Sequence, residues 1–176
     1  MKYFLILFFL LPKFGTCQQS TVETIGDITQ LLIPASAGTA TLILKDKKGT
    51  WQFVKSFATT AAITYVLKQT IDKERPEHNG KHSFPSGHTS SAFSGASFIQ
   101  RRYGWKYGIP AYALAVYTGY SRVYAKKHYP IDVVAGALIG IGGTYLFTTP
   151  YQKEHIELTL SSTENRTYLV GLKYRF

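Results

Sequence analysis

The sequence predicts an all-α protein, a compact bundle of about five to six helices with a short C-terminal β-hairpin. Three observations predict it. Apolar segments of helical length, rich in Ala, Gly and Thr, are separated by short polar or Pro-containing breaks. After Pro150 the apolar period switches from helical to alternating. The length of 176 residues suits one domain with a sizeable core and is short for two.

Taken in order, residues 1–17 read as a secretory signal peptide. Lys2 precedes an apolar run from Tyr3 to Leu11, and small residues at Gly15 and Cys17 suit cleavage near Cys17. Cys17 is the only cysteine and is also a possible lipidation point, although Phe14 departs from the usual lipoprotein pattern. If Cys17 leaves with the signal, the mature chain carries no cysteine, which suits an oxidising compartment. Residues 18–150 form the helical domain. Within it, 25–44 reads as a helix pair or a kinked helix because of Pro34. The stretch 45–50 is a polar turn, 51–68 is a helix, and 70–84 is a charged loop broken by Pro76, Asn79 and Gly80. Helices follow at 86–102, 107–123 and 131–147, the last starting after Pro130. Residues 151–176 form the hairpin. Ile156, Leu158 and Leu160 alternate with polar residues, as do Tyr168, Val170, Leu172 and Tyr174, around a turn at 161–165. Docking on the helical body is its expected role.

The chain is 45% hydrophobic and 17% charged, with 11 Phe and 13 Tyr, oilier than an average soluble domain. A mean hydropathy of -0.05 is nevertheless low for a multi-span membrane protein. Two segments, 28–44 and 133–151, approach the roughly 20 apolar residues that spanning requires. The small residues Gly136, Gly140 and Gly143 permit close packing in lipid and in water alike, and the balance leans toward membrane association. Net charge is +10, and no Asp or Glu occurs from His78 to Ile131. Such a field attracts phosphorylated substrates or acidic headgroups. No nucleic-acid-binding motif accompanies it, so nucleic acid is not an expected partner.

Three segments carry chemistry: "LKQTIDKERP" with Lys68 and Arg75, "PSGH" with Ser86, Gly87 and His88, and "SRVYAKKHYPID" with Arg122, His128 and Asp132. Two Arg and one Lys can grip phosphate oxygens, Arg through a planar fork of paired donors. Ser86 suits the N-cap of the following helix, whose amides then face an anion, and Gly87 lets the backbone come close. His88 stands beside that site as a proton donor. His128 and Asp132 are four apart, so the carboxylate can hold one imidazole nitrogen and leave the other free to attack. Each residue alone has an ordinary structural reading; their joint occurrence in an acid-free stretch does not.

These segments resemble the three signature motifs of the type-2 phosphatidic acid phosphatase and vanadium haloperoxidase superfamily: K-x6-R-P, P-S-G-H and S-R-x5-H-x3-D, with every fixed position filled. The resemblance implies a metal-independent, cofactor-free phosphatase on a helical bundle. It implies that His128 is the nucleophile, forming a phosphohistidine, with Asp132 orienting it. It further implies that His88 protonates the leaving alkoxide and then activates water. Lys68, Arg75 and Arg122 would bind phosphoryl oxygens, and Ser86 and Gly87 would add hydrogen bonds. Lys81, His82, Ser83 and Thr89 lie nearby without a motif role, and His78, His82 and His155 read as ordinary loop histidines.

The signal sequence, the small helical body and the segment from Phe98 to Gly108 are similar to small bacterial lipid A phosphatases and related lipid phosphate phosphatases. Arg101, Arg102, Trp105, Lys106 and Tyr107 mix cations with aromatics, as at a headgroup interface. The implied partner is a phosphorylated lipid at a membrane surface, and the implied location is the bacterial envelope, exported and facing the periplasm. Lipid A, undecaprenyl pyrophosphate, phosphatidate and phosphatidylglycerol phosphate fit as substrates. A soluble periplasmic acid phosphatase is the nearest alternative; a vanadium-dependent haloperoxidase and a non-catalytic envelope protein are more distant ones.

Overall fold

The computed structural model describes the backbone of residues 4–78, 80–151, 156–162 and 168–174, and the side chains of 21–151 apart from 77 and 79. Its helices are α1 (Phe4–Ile43), α2 (Lys47–Thr70), α3 (Gly87–Tyr103), α4 (Trp105–Tyr124) and α5 (Pro130–Phe147). A single 3-10 turn, Pro76–His78, interrupts the loop between α2 and α3. His155 lies outside the described residues.

The helix pair or kink expected around Pro34 is replaced by one helix, α1, that runs through that residue. Proline in a helix interior removes the amide that would bond the carbonyl four residues back. Here that carbonyl belongs to Gln30, and Ser91 Oγ of α3 donates to it at 3.0 Å. Gly95 of α3 faces the same turn, and a Cβ there would stand 2.7 Å from Pro34 N. A neighbouring helix therefore supplies both the missing donor and the room.

α3 is the hub, packed against all four other helices. Its interior face is built of small and polar residues: Ser90, Ala92, Ser94, Gly95, Ala96 and Ser97 are buried. Small residues let helix backbones approach closely, and hydroxyls then bond across the seams. Thr64 Oγ1 of α2 donates to Ser90 Oγ at 3.0 Å, and Thr144 Oγ1 of α5 donates to the Ser94 carbonyl at 3.1 Å. Across the seam between α1 and α4, the Thr29 and Thr118 hydroxyls share a 2.8 Å bond. At Gly140 a Cβ would stand 2.5 Å from Ser90 O, so α5 can lie this close to α3 only with glycine there. Gly104, at φ 93°, makes the turn from α3 into α4, a conformation that disfavours side chains.

Large apolar side chains point outward. Leu31 is 65% exposed, Leu138 65% and Leu146 72%, and Ile28, Trp51, Val116 and Ile131 are also exposed. At the end formed by the last turns of α3 and α5, Arg102 is buried and makes two 2.7 Å bonds to Asp46. Asp46 in turn caps α2 by accepting from Gly49 N at 2.8 Å. Arg102 therefore belongs to the interior, not to the cationic surface expected of residues 101–107; Trp105, Lys106 and Tyr107 are exposed.

The expected fold class, a bundle completed by a docked hairpin, is corrected to the five-helix all-α bundle alone. β1 (Ile156–Ser162) and β2 (Tyr168–Tyr174) pair antiparallel, from Ile156↔Tyr174 to Ser162↔Tyr168. Their substantial packing is with each other, and the core cluster among the described residues is drawn from α1, α3 and α4. A two-stranded ribbon offers no buried layer of its own, so it adds nothing to the architecture. Residues 163–167 of its turn lie outside the described residues.

Candidate active site

Six segments converge at the end of the bundle opposite the Asp46–Arg102 pair. They are the middle of α1, the last turn of α2, the loop that follows it, the first turn of α3, the last turn of α4 and the loop into α5. They enclose a pocket of about 420 Å³ lined by Lys68, Arg75, Gly87, His88, Arg122 and His128, together with Glu23, Asp27 and Lys127. The six sequence-predicted pocket residues thus come together from the three motif segments.

Ser86 and Asp132 are placed behind this lining and are fully buried. Ser86 is the N-cap of α3, its Oγ accepting from Thr89 N at 3.4 Å and from Thr89 Oγ1 at 2.9 Å. Its own amide donates to the Asp132 carbonyl at 2.9 Å, which ties the start of α3 to the start of α5. Gly136 allows that approach, since a Cβ there would stand 2.5 Å from Ser86 O.

His128 Nδ1 lies 2.7 Å from the Ser83 carbonyl oxygen. A carbonyl only accepts, so Nδ1 carries the proton and Nε2 is left with a free lone pair. The Asp132 carboxylate, expected to hold this ring, is 3.9 Å from Nδ1. His128 precedes the helix, so a spacing of four does not stack the two side chains as it would within one. Asp132 instead accepts from Ser83 Oγ at 2.6 Å, from Tyr129 N at 3.0 Å and from Lys73 Nζ at 2.6 Å. Lys73 also stands 4.6 Å over the Tyr129 ring. Burial, followed by Lys68, pulls the His128 pKa down to about 4, against the Ser83 carbonyl and Asp132. The ring is therefore neutral at physiological pH.

The cations are braced around the pocket by neighbouring acceptors. Lys68 Nζ donates to the His82 carbonyl at 2.9 Å while His82 Nδ1 meets the Lys68 carbonyl at 2.7 Å, so His82 has a bracing role. Arg75 Nε is buried with no hydrogen-bond partner among the described residues, a donor in reserve. Arg122 sends Nη2 to the Glu23 carbonyl at 2.7 Å and Nη1 to Asp27 Oδ1 at 2.7 Å. The same Asp27 oxygen lies 2.9 Å from His88 Nε2. Lys81 makes an exposed ion pair with Asp72, and His78 Nδ1 lies 2.8 Å from Glu74, both away from this lining.

Sequence reasoning missed Ser83's carbonyl, Lys73, Glu23 and Asp27. A signal existed for the last two: they are the sole acids of α1, four residues apart in an apolar helix. With a lone pair on His128, a protonatable His88 and a ring of cations, the pocket can bind a tetrahedral oxyanion, attack its centre and donate a proton to the departing group.

Residues 49–156 match the sequence profile of the PAP2 superfamily. The chain is 35% identical over 170 residues to the lipid A 4′-phosphatase of Helicobacter pylori, covering 88% of this chain and 85% of that one. It is 34% identical over 73 residues to the undecaprenyl-diphosphatase of Bacillus subtilis, covering 40% of this chain and 36% of that one. The fold is similar to the crystal structure of Aquifex aeolicus LpxE, with a TM-score of 0.65 over 74% of this chain and 84% of that one, at 22% identity.

Proposed function

Because the chain belongs to the PAP2 superfamily and is a phosphoric ester hydrolase, we propose that it removes a phosphate group from a membrane lipid, with lipid A phosphate as the substrate class, through a phosphohistidine. One observation carries the mechanism: a neutral His128 whose Nδ1 proton is pinned on a carbonyl, leaving Nε2 free in a pocket lined by Lys68, Arg75 and Arg122. Nε2 attacks phosphorus, the cations take up charge on the equatorial oxygens, and His88 protonates the leaving oxygen. Water then attacks the phosphohistidine, giving its proton to His88, and phosphate departs.

The lipid substrate is supported by the extended similarity to a lipid A 4′-phosphatase and by the outer surface. Large apolar residues on α1, α2, α4 and α5 face outward while hydroxyls and small residues face inward, the arrangement a bilayer favours. α5 is long and apolar enough to cross a membrane. Its 18 residues rise about 27 Å, close to the roughly 30 Å hydrocarbon core. The pocket then opens at the aqueous boundary, where a headgroup phosphate sits and the acyl chains remain in lipid. The leader-like N-terminus supports the reading of export to a periplasm-facing position; cleavage near Cys17 would leave Glu23 and Asp27 in the mature chain.

The test is phosphate release by detergent-extracted protein from lipid A, undecaprenyl pyrophosphate, phosphatidate, phosphatidylglycerol phosphate and a soluble aryl phosphate. Preferential release from lipid A, lost in His128→Ala, supports the proposal. Release from the aryl ester alone overturns the lipid reading.

A further inference from the structure

A phosphate pocket with two carboxylates in its wall needs an explanation, because a carboxylate repels the anion the pocket is built to hold. Asp27 is not held there loosely. Gly26 lets α1 press against α4, since a Cβ at that position would stand 2.6 Å from the Arg122 guanidinium. The Thr29–Thr118 bond closes the seam on one side of Asp27, and the Arg122 bond to the Glu23 carbonyl closes it on the other. Between these clamps a single oxygen, Oδ1, meets His88 Nε2 at 2.9 Å and Arg122 Nη1 at 2.7 Å.

We propose that Asp27 is the positioning residue of the proton donor: it holds His88 by Nε2 so that Nδ1 serves the leaving oxygen, and it couples that ring to the phosphate-binding Arg122. The inference rests on the phosphohistidine reading above. In balanced form, His128 Nε2 forms a bond to phosphorus as the ester P–O bond breaks, and the alkoxide takes the Nδ1 proton of imidazolium His88. In the second step water gives its proton to Nδ1, its oxygen bonds phosphorus, and the P–N bond breaks.

The charged surroundings explain why a carboxylate is required. His88 shares its pocket with Lys68 from α2, Arg75 from the loop before α3, Arg122 from α4, and Lys127 and His128 from the loop before α5. Against the lysine and arginine cations, the carboxylates among the described lining residues are Asp27 and Glu23, both from α1, and Glu23 is paired with Lys127 at 3.2 Å. Burial first, and Arg122 next, lower the His88 pKa, while Asp27 works to raise it. Asp27 offsets part of that fall, and without the carboxylate the ring would lose its proton at still lower pH.

The experiment compares wild type, Asp27→Asn, Asp27→Glu and His88→Ala as detergent-purified full-length proteins. Each is assayed on a phosphorylated lipid, whose leaving group is a poor alkoxide, and on p-nitrophenyl phosphate, whose leaving group needs no acid. For Asp27→Asn the account expects a kcat loss of about 10-fold or more on the lipid against about 3-fold or less on the aryl ester. It also expects a KM no higher than wild type, because Arg122 is freed, and a basic limb of kcat/KM moved to lower pH. Asp27→Glu should restore most of the lipid activity. Equal losses on both substrates with an unmoved pH profile, or no loss at all, overturn the proposal while leaving the phosphatase reading intact. Retention of lipid hydrolysis by His88→Ala would overturn the general-acid reading and the role of Asp27 with it.

Discussion

His128 Nδ1 is 2.7 Å from the carbonyl oxygen of Ser83, so a backbone group, rather than an acid side chain, sets which nitrogen of the proposed nucleophile is free. Asp132 works one layer further out, tying together the two loops that bear these residues through Ser83 Oγ, Tyr129 N and Lys73.

Asp132→Asn should therefore act by loosening that loop and leaving the Lys73 ammonium unpaired. A kcat loss of about 10- to 100-fold with little change in KM is expected, the scale of a small misplacement of reacting groups. Adding Lys73→Met should recover part of the loss, because the two residues are directly coupled. Full additivity of the two substitutions, measured by steady-state kinetics, would show that Asp132 acts on His128 without Lys73.

The depressed His128 pKa of about 4, against an ordinary 6.5, has a signed consequence. Between those values the unfolded chain binds a proton at this position and the folded chain does not. Stability therefore falls as pH drops through that window and is recovered as pH rises above it. Denaturation midpoints in detergent should show this slope, and His128→Ala should flatten it. The acid limb of kcat/KM should likewise lie nearer pH 4 than 6.5.

Arg102→Ala should destabilise the protein by about 3–5 kcal/mol, because it strands a buried Asp46 carboxylate. Thermal unfolding would show the loss, while turnover per folded molecule stays near wild type, since this pair is at the end remote from the pocket. Arg102→Ala combined with Asp46→Asn should be less damaging than the single change.

Orthovanadate should inhibit hydrolysis competitively, because a five-coordinate oxyanion bonded to His128 Nε2 resembles the transferring phosphoryl group, and EDTA should leave the rate unchanged. Strong inhibition by EDTA in a phosphate-release assay would point to a metal-assisted reaction instead.

What was legible in the sequence was local. Helix boundaries followed apolar periodicity, Pro130 and the Ser86 cap, and α3, α4 and α5 start and end within about two residues of the expected positions. The motif spacing brought Lys68, Arg75, Gly87, His88, Arg122 and His128 to one pocket. What was hidden depended on partners far along the chain. The continuity of α1 through Pro34 needs a hydroxyl from Ser91, 61 residues from its acceptor Gln30. Arg102 reads as a surface cation until Asp46, 56 residues away, is seen to bury it. Asp27 has partners 61 and 95 residues distant, and no local pattern pairs it with His88 or Arg122. Asp132 stands 3.9 Å from the His128 ring and reaches it through Ser83 instead of by the direct bond expected, because a helical spacing does not carry across a helix start.

The most direct test of the central claim is to mix the protein with a 32P-labelled phosphate ester, quench in alkali within a turnover, and map the label. The account predicts a base-stable, acid-labile phosphoenzyme with the label on His128, absent in His128→Ala. Label retained in His128→Ala, or an alkali-labile adduct on a carboxylate, would contradict it.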